Sequence, residues 1–358
     1  MGAAASSAEL EGWLHAGAWQ RIVDCPAPVF DPPTRGAALH SAISALAAVQ
    51  LGDTARATSL AELVVEQGTA WPEAVARAST AQAELALARG ELGLADRLAR
   101  EAYEGLEPAA TDWRSYLEVI LGRVDARYGQ DEGLEQLAHG ADALEQTGHA
   151  LASPALCALA RLSLERGTGD PLHHAERAAR IGHAEHRSCA HQLLAHAHAR
   201  AGRQNLANHH LREAEAVLAA TPTPAMAARL ATTAGDVAWE TGDTEQALRA
   251  WLRALDARRV TASDTLAIRT RLAEAHLADD DLPAALRVLQ SVRQRPGVEL
   301  LVASLEALRA ARGDGGDWAS RWWRAYRLTV QGVAPHASVV ARVWEEVASA
   351  WGPTSQRS

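Results

Sequence analysis

Short turn signals punctuate the sequence at nearly constant intervals, each between two stretches of helical periodicity: Gly52-Asp53, Gly90-Glu91, Gly129-Gln130, Gly167 to Asp170, Gly202-Arg203, Gly242-Asp243, Asp280-Asp281 and Gly313-Asp314. Successive signals from Gly52 to Gly313 stand 38, 39, 38, 35, 40, 38 and 33 residues apart. That is the length of a two-helix unit whose apolar face is buried only against a neighbouring copy. The 358 residues are therefore read as one array of about eight stacked helix pairs, not as two or three globular domains.

Residues at fixed offsets from the turns obey the same period. Five after the turn stand Ala57, Ala95, Leu134, Leu172, Ala207, Ala247, Ala285 and Trp318, and twelve after stand Val64, Ala102, Ala141, Ala179, Ala214, Ala254, Val292 and Ala325. Seven before the turn are Ala45, Ala83, Gly122, Ala160, Ala195, Gly235 and Ala273, with Glu306 breaking the series. Small residues at these offsets let paired helices approach closely, and larger ones nine after the turn, such as Leu211, Trp251, Leu289 and Trp322, fill the space between pairs. Hydrophobic residues make up 48% of the chain but aromatics only 4%, so the apolar content is mostly alanine and leucine, both strong helix formers. No segment alternates apolar and polar residues over the length of a strand. Pro72, Pro108, Pro154, Pro222, Pro224, Pro296 and Pro335 are placed between repeats, and Pro171 and Pro283 in the first turn of second helices. The expected class is all-α.

The order small residue, turn glycine seven later, alanine, bulky residue and alanine resembles the tetratricopeptide superfamily, and Gly235, Gly242, Ala247, Trp251 and Ala254 form its best copy here. The resemblance runs from about Arg35 to Thr329, with the family's first-helix tryptophan replaced by residues such as Ser41, Ser79, Glu118 and Leu156. It implies a right-handed solenoid of about eight antiparallel helix pairs with terminal capping helices. Residues 1–33 are expected to form an N-terminal helical cap and a proline-rich linker, 34–330 eight repeats, and 331–358 a C-terminal capping helix and tail. Val339, Val340, Val343, Trp344, Val347 and Trp351 make one apolar stripe there, read as a cap or a homodimer contact. Long, degenerate repeats of this kind look like the sensor and scaffold regions attached to bacterial transcription activators.

The net charge of −9 opposes bulk attraction to nucleic acid or anionic membrane, and no apolar run reaches the roughly 18 residues of a membrane span. Cys25, Cys157 and Cys189 are widely spaced and form no C-x-x-C pair, so neither a disulfide framework nor a zinc knuckle is indicated, and a cytoplasmic location is expected.

The resemblance implies that the first helix of each pair lines a concave groove and that the residue six before each turn points into it: Leu46, Glu84, Arg123, Arg161, His196, Asp236, Glu274 and Ala307. Two before the turn, Arg127 and Arg200 reinforce the middle of this series, and ten before it Gln192 adds a neutral hydrogen-bonding group. The candidate binding residues are thus Arg123, Arg127, Arg161, Gln192, His196, Arg200 and Asp236. A planar guanidinium donates two parallel hydrogen bonds to a carboxylate, so a protein or acidic peptide is the expected partner. Charges at an open groove are expected to contribute little to stability. The plainer reading is an exposed face of charges neutralised by neighbouring glutamates.

Histidines concentrate between His173 and His210, yet only His183 and His186 have ligand spacing on one helix face, so no metal is expected. Trp318 and Trp322 fall on packing offsets and read as core, with Trp323 beside them. No nucleophile–base pair or phosphate-binding loop emerges, so neither catalytic residues nor a cofactor is expected. A scaffold that holds a protein or peptide is the leading function, ahead of a regulatory partner in transcription control and of a helical-repeat enzyme with a small-molecule cavity. The register itself is testable through Trp251, placed at a buried bulky position: Trp251→Ala should lower unfolding stability by about 3–5 kcal/mol. An unchanged urea midpoint would show the register to be wrong.

Overall fold

The computed structural model describes residues 5–26, 34–220, 224–256, 262–292 and 298–311. Every regular element among them is a helix. The chain divides into two compact units. The first opens with two short helices, α1 (Ser7–His15) and α2 (Trp19–Asp24). Five pairs follow: α3 (Arg35–Gln50) with α4 (Thr54–Gln67), α5 (Pro72–Arg89) with α6 (Leu92–Gly105), α7 (Thr111–Arg127) with α8 (Glu132–Thr147), α9 (Ala152–Arg166) with α10 (Pro171–Ile181), and α11 (Ala184–Arg200) with α12 (Gln204–Ala220). Helix α13 (Pro224–Glu240) ends this unit. The second unit contains α14 (Thr244–Asp256), α15 (Ala262–Ala278), α16 (Leu282–Gln290) and α17 (Val298–Ala311). The turn at Gly313, the tryptophans Trp318, Trp322 and Trp323, and the stripe from Val339 to Trp351 lie outside the described residues.

The turn signals work by two separate devices. Glycine stops the first helix, because the chain there needs a left-handed residue: φ is +73° at Gly52, +77° at Gly90, +88° at Gly129, +70° at Gly202 and +84° at Gly242. Asp280 takes the same conformation, at φ +61°, in the turn without glycine. An aspartate then starts the second helix by accepting an otherwise unpaired backbone N–H: Asp53 from Arg56, Asp170 from His173 and Asp281 from Ala284. Pro171 and Pro283 open second helices as expected. Pro72, Pro154 and Pro224 are not between repeats: Pro72 and Pro224 are the first residues of α5 and α13 and Pro154 is the third of α9, all in a first turn where the missing N–H has no intrahelical partner to lose.

The small residues seven before the turns are buried throughout the described repeats, as are Ala57, Ala95, Ala207, Ala247 and Ala285 five after them. Trp251 is 1% exposed. Repeats three and four depart from the sequence register. Leu134 and Leu172 are only half-buried, and the enclosed positions are Gly133 and Leu137 on α8 and Ala175 and Ala178 on α10. In repeat four the reason is a longer turn, left-handed at both Gly167 and Gly169, which delays α10. In repeat three α7 and α8 meet backbone to backbone. A Cβ added to Gly122 would lie 2.5 Å from Leu137 N and 2.6 Å from the Gly133 carbonyl oxygen.

Within the first unit successive first helices touch one another, α3 on α5, α5 on α7, α7 on α9, α9 on α11 and α11 on α13, while second helices meet mainly the first helices. A layer packed side by side is the shorter, inner one. The outward stripe of α3, α5, α7, α9, α11 and α13 is therefore the inner face of this unit. The glycine contact gives a direct check of the packing. Gly122→Ala should destabilise by about 1–3 kcal/mol despite alanine's better helix propensity, because backbone must move to admit the methyl group. Gly12→Ala on α1, with nothing within 4 Å, should be neutral or stabilising by up to about 1 kcal/mol. Urea melts that rank the two the other way would contradict this helix spacing.

Candidate functional site

The inner face begins apolar at Leu46, which is fully buried, and turns polar at α5. Glu84 is 6% exposed and sits in a closed network: the Tyr116 hydroxyl donates to it at 2.6 Å, Arg123 donates at 2.5 Å, and Gln50 donates to the Tyr116 oxygen at 3.1 Å. Burial, followed by the Glu84 charge, pushes the Tyr116 hydroxyl well above the ordinary phenol range. Arg123 is thus the counter-ion of a buried carboxylate. Removing it would leave Glu84 unpaired in a dry site, a loss of about 3 kcal/mol or more, so the expectation of a negligible stability role does not hold for this residue.

Arg127 follows one turn later, reachable by solvent yet crowded by neighbouring side chains. Its pKa lies below the usual guanidinium value, first through desolvation and then through the charges of Arg123 and Arg161, against the opposing pull of Glu165 and Glu84. Three guanidiniums from α7 and α9 therefore share one stretch of the face. Arg161 also directs Nη2 at the Cys189 sulfur, 3.6 Å away. Farther along, Gln192 is buried, donates to Ser188 at 3.2 Å and accepts from Thr233 of α13 at 3.2 Å. His196 and Arg200 both face Glu240, at 3.6 and 3.8 Å, and Arg200 donates to the Leu164 carbonyl at 2.5 Å. Hydrogen bonding to His196 leads the causes that hold Glu240 below the usual carboxylate range, with Arg200 adding to it. Asp236 is 7% exposed. The structure thus brings Arg123, Arg127 and Arg161 together, and it joins His196 and Arg200 through a shared carboxylate partner, Glu240.

The first helices are crossed at their N-terminal ends by the opening segment of the chain. A capping box between Ser6 and Glu9 starts α1, whose Leu10 and Leu14 are buried. The pair α1 and α2 packs on α3, as a cap would, and also reaches much farther. Glu11 pairs with Arg77 of α5 at 3.0 Å and accepts from the Trp113 indole of α7 at 3.2 Å, while Arg77 lies 5.3 Å from the Trp113 ring centre. The His15 carbonyl accepts from the Ala150 N–H at 2.9 Å. At Gly17 an added Cβ would collide with the His183 ring and Ala150.

His15, Asp112 and His149 come together here, with ligand atoms within 4.8 Å of one another, the arrangement closest to a metal centre among the described residues. The donor set fits a hydrogen-bonded cluster better. His149 Nδ1 accepts from the Leu151 N–H at 3.1 Å, so the neutral ring carries its proton on Nε2, and a cation would have to displace that proton or that hydrogen bond. His183 and His186, the pair with ligand spacing, do not converge: His183 caps α11 against Gly17, and His186 is largely enclosed. His191, His198, His209 and His210 gather instead between α11 and α12, with His191 Nδ1 3.2 Å from His210 Nδ1 and the His198 and His210 rings stacked at 5.3 Å.

No protein-family model matches the sequence, and no curated protein is similar to it. Solved structures share its fold. The structure of NprR in complex with its cognate peptide NprX superposes with a TM-score of 0.58 at 12% identity, over 87% of this chain and 93% of that one. A signal-transduction ATPase with a tetratricopeptide repeat sensor from Pyrococcus horikoshii gives 0.47 at 12% identity, over 96% of this chain and 55% of that one. The Cut9–Hcn1 complex gives 0.40 at 14% identity, over 95% and 96%. The chain has the tetratricopeptide-type helical-repeat fold.

Three histidines give the first unit a pH signature. Desolvation is the leading cause that lowers His149, His186 and His210 to about 4; Asp112 opposes it at His149, while Arg229 adds to it at His186 and His191 at His210. Folded protein keeps these rings neutral, whereas the unfolded chain protonates them near 6.5. Stability should therefore be full above pH 6.5 and fall progressively towards pH 4. Urea midpoints at pH 7.5 and 5 check this, with His186→Gln expected to flatten the slope. A midpoint unchanged down to pH 5 would contradict the burial of these rings.

Proposed function

We propose that the first unit is a binding module that holds a carboxylate-bearing segment of a partner protein or peptide along the inner face of its first helices, acting in the cytoplasm by binding and not by catalysis. The observation that carries this reading is the chain's own α1. A short helix already lies across this face and seats a carboxylate, Glu11, on the guanidinium of Arg77 and the indole of Trp113. Arg77 is 10% exposed in this seat and Glu11 34%, and desolvation, only partly offset by Arg77 and Trp113, raises the Glu11 pKa. The next guanidiniums along the face, Arg127 and Arg161, continue the same chemistry beyond the reach of α1. Arg123 holds the frame by pairing with Glu84, and Gln192, His196, Arg200 and Asp236 extend the polar face towards α13. A protein of the same fold, NprR, is described in complex with its cognate peptide, which supports a peptide as guest.

Peptides selected from a random display library on the purified chain test the reading. Acidic residues should be enriched, and Arg127→Ala with Arg161→Ala should weaken the selected peptide about tenfold or more and flatten its salt dependence, as loss of two exposed charge contacts implies. Arg97→Ala with Arg212→Ala, on the second helices, should leave affinity unchanged. Equal affinity and salt slope in the folded inner-face variant would rule the site out.

A further inference from the structure

Cys157 and Cys189 are 32 positions apart in sequence, on α9 and α11, but the two helices pack side by side and bring them to one spot on the inner face. Cys157 Sγ lies 3.7 Å from the carbonyl oxygen of His186, one turn before Cys189. Arg161, one turn after Cys157, reaches the Cys189 sulfur at 3.6 Å. The Cys189 sulfur thus faces a guanidinium and is hydrogen-bonded to the Cys157 thiol. Arg229 of α13, which pairs with Glu185 at 2.6 Å, adds a second positive charge nearby. The Cys157 thiol is the first cause that holds Cys189 below the ordinary thiol range, against burial and with help from Arg161 and Arg229, while Cys157 itself is pushed well up. The guanidinium at Cys189 favours the thiolate there over the one at Cys157, the division of roles found in a nucleophilic and a resolving cysteine. Both thiols are free in this structure and largely buried, Cys157 at 5% and Cys189 at 9% exposure.

We propose that Cys157 and Cys189 form a peroxide-sensitive dithiol, in which Cys189 is oxidised first and Cys157 closes an interhelical disulfide on the inner face. The Cys189 thiolate attacks one oxygen of hydrogen peroxide, the O–O bond breaks, and hydroxide leaves and takes a proton as water. The resulting sulfenic acid is attacked by the sulfur of Cys157, an S–S bond forms, and the sulfenic oxygen leaves as the second water. Two thiols lose two electrons and two protons, and one peroxide is reduced to two waters. Peroxide is small enough to reach sulfurs that are 5% and 9% exposed. The bridge joins neighbouring first helices, α9 and α11, and removes the sulfur charge that Arg161 faces. It stands whether or not the face holds a peptide.

The test uses the full reduced chain, exposed to hydrogen peroxide and then alkylated and digested with trypsin. Cleavage after arginine places Cys157 in the peptide 128–161 and Cys189 in 188–200, so the bridge appears as one linked species 2 Da lighter than the two reduced peptides, with Cys25 still alkylated. Cys157→Ser should leave Cys189 as a sulfenic acid that dimedone captures, and Arg161→Met should slow bridge formation several-fold while the fold, followed by circular dichroism, is kept. The proposal is overturned if folded protein oxidises at Cys25 while both buried thiols stay reduced. It is equally overturned if each buried cysteine gains oxygen singly without the linked peptide.

Discussion

Alanine and glycine at the helix contacts set the distance on which the rest of this structure depends. Ala57, Ala95, Ala207, Ala247 and Ala285 have no exposed surface, and at Gly122 the backbones of α7 and α8 leave no room for a methyl group. Helices at that spacing draw α3, α5, α7, α9, α11 and α13 into one continuous layer. Side chains that leave the layer on its inner face are then crowded against their equivalents in the next repeat. A polar group there loses water and must find a partner across the repeat boundary. Glu84 finds Tyr116 and Arg123, Gln192 finds Thr233, and Glu240 finds His196 and Arg200.

This crowding sorts the arginines by role. Arg123 is bound to a buried carboxylate and belongs to the frame, whereas Arg127 stands exposed beside it in the combined field of Arg123 and Arg161. The same field reaches Cys189, so a thiol that would be an inert core residue is placed in a cationic setting. At the other end of the helices α1 occupies the face with an acidic residue of its own. The proposed binding site and the proposed dithiol thus share one cause, the gathering of guanidiniums by a closely packed layer.

The fold was legible because its signals are local and repeated. Glycine at a left-handed position followed by a capping aspartate is read from two adjacent residues, and the small-residue offsets recur often enough to fix the register at Trp251, where the side chain is buried. Register slipped only where a turn changed length or a glycine replaced the expected contact residue, at Ala175 and Gly133. The candidate site was legible by position but not by charge state. Offsets from the turn placed Arg123, Arg161 and His196 on the inner face, but Tyr116 and Glu240 gave no sign of being partners, since pairing between repeats depends on how far one helix slides past the next. The series two before the turn runs Gln50, Ala88, Arg127, Glu165, Arg200 and Glu240, so its last four members alternate in sign. The docking of α1 and the meeting of Cys157 with Cys189 had no local signal, because each joins segments that only the stacking of repeats brings together.

The guest is proposed to lie on the inner face of the first unit and not on its second helices. Hydrogen–deuterium exchange of the full chain, with and without a saturating selected peptide, reads this directly, because bound peptide slows opening of the helices it covers. Protection should rise along the C-terminal turns of α7, α9 and α11, around Arg127, Arg161 and Arg200, with α6, α8 and α12 unchanged. Protection confined to the second helices, or found only in residues 312–358, would contradict the account.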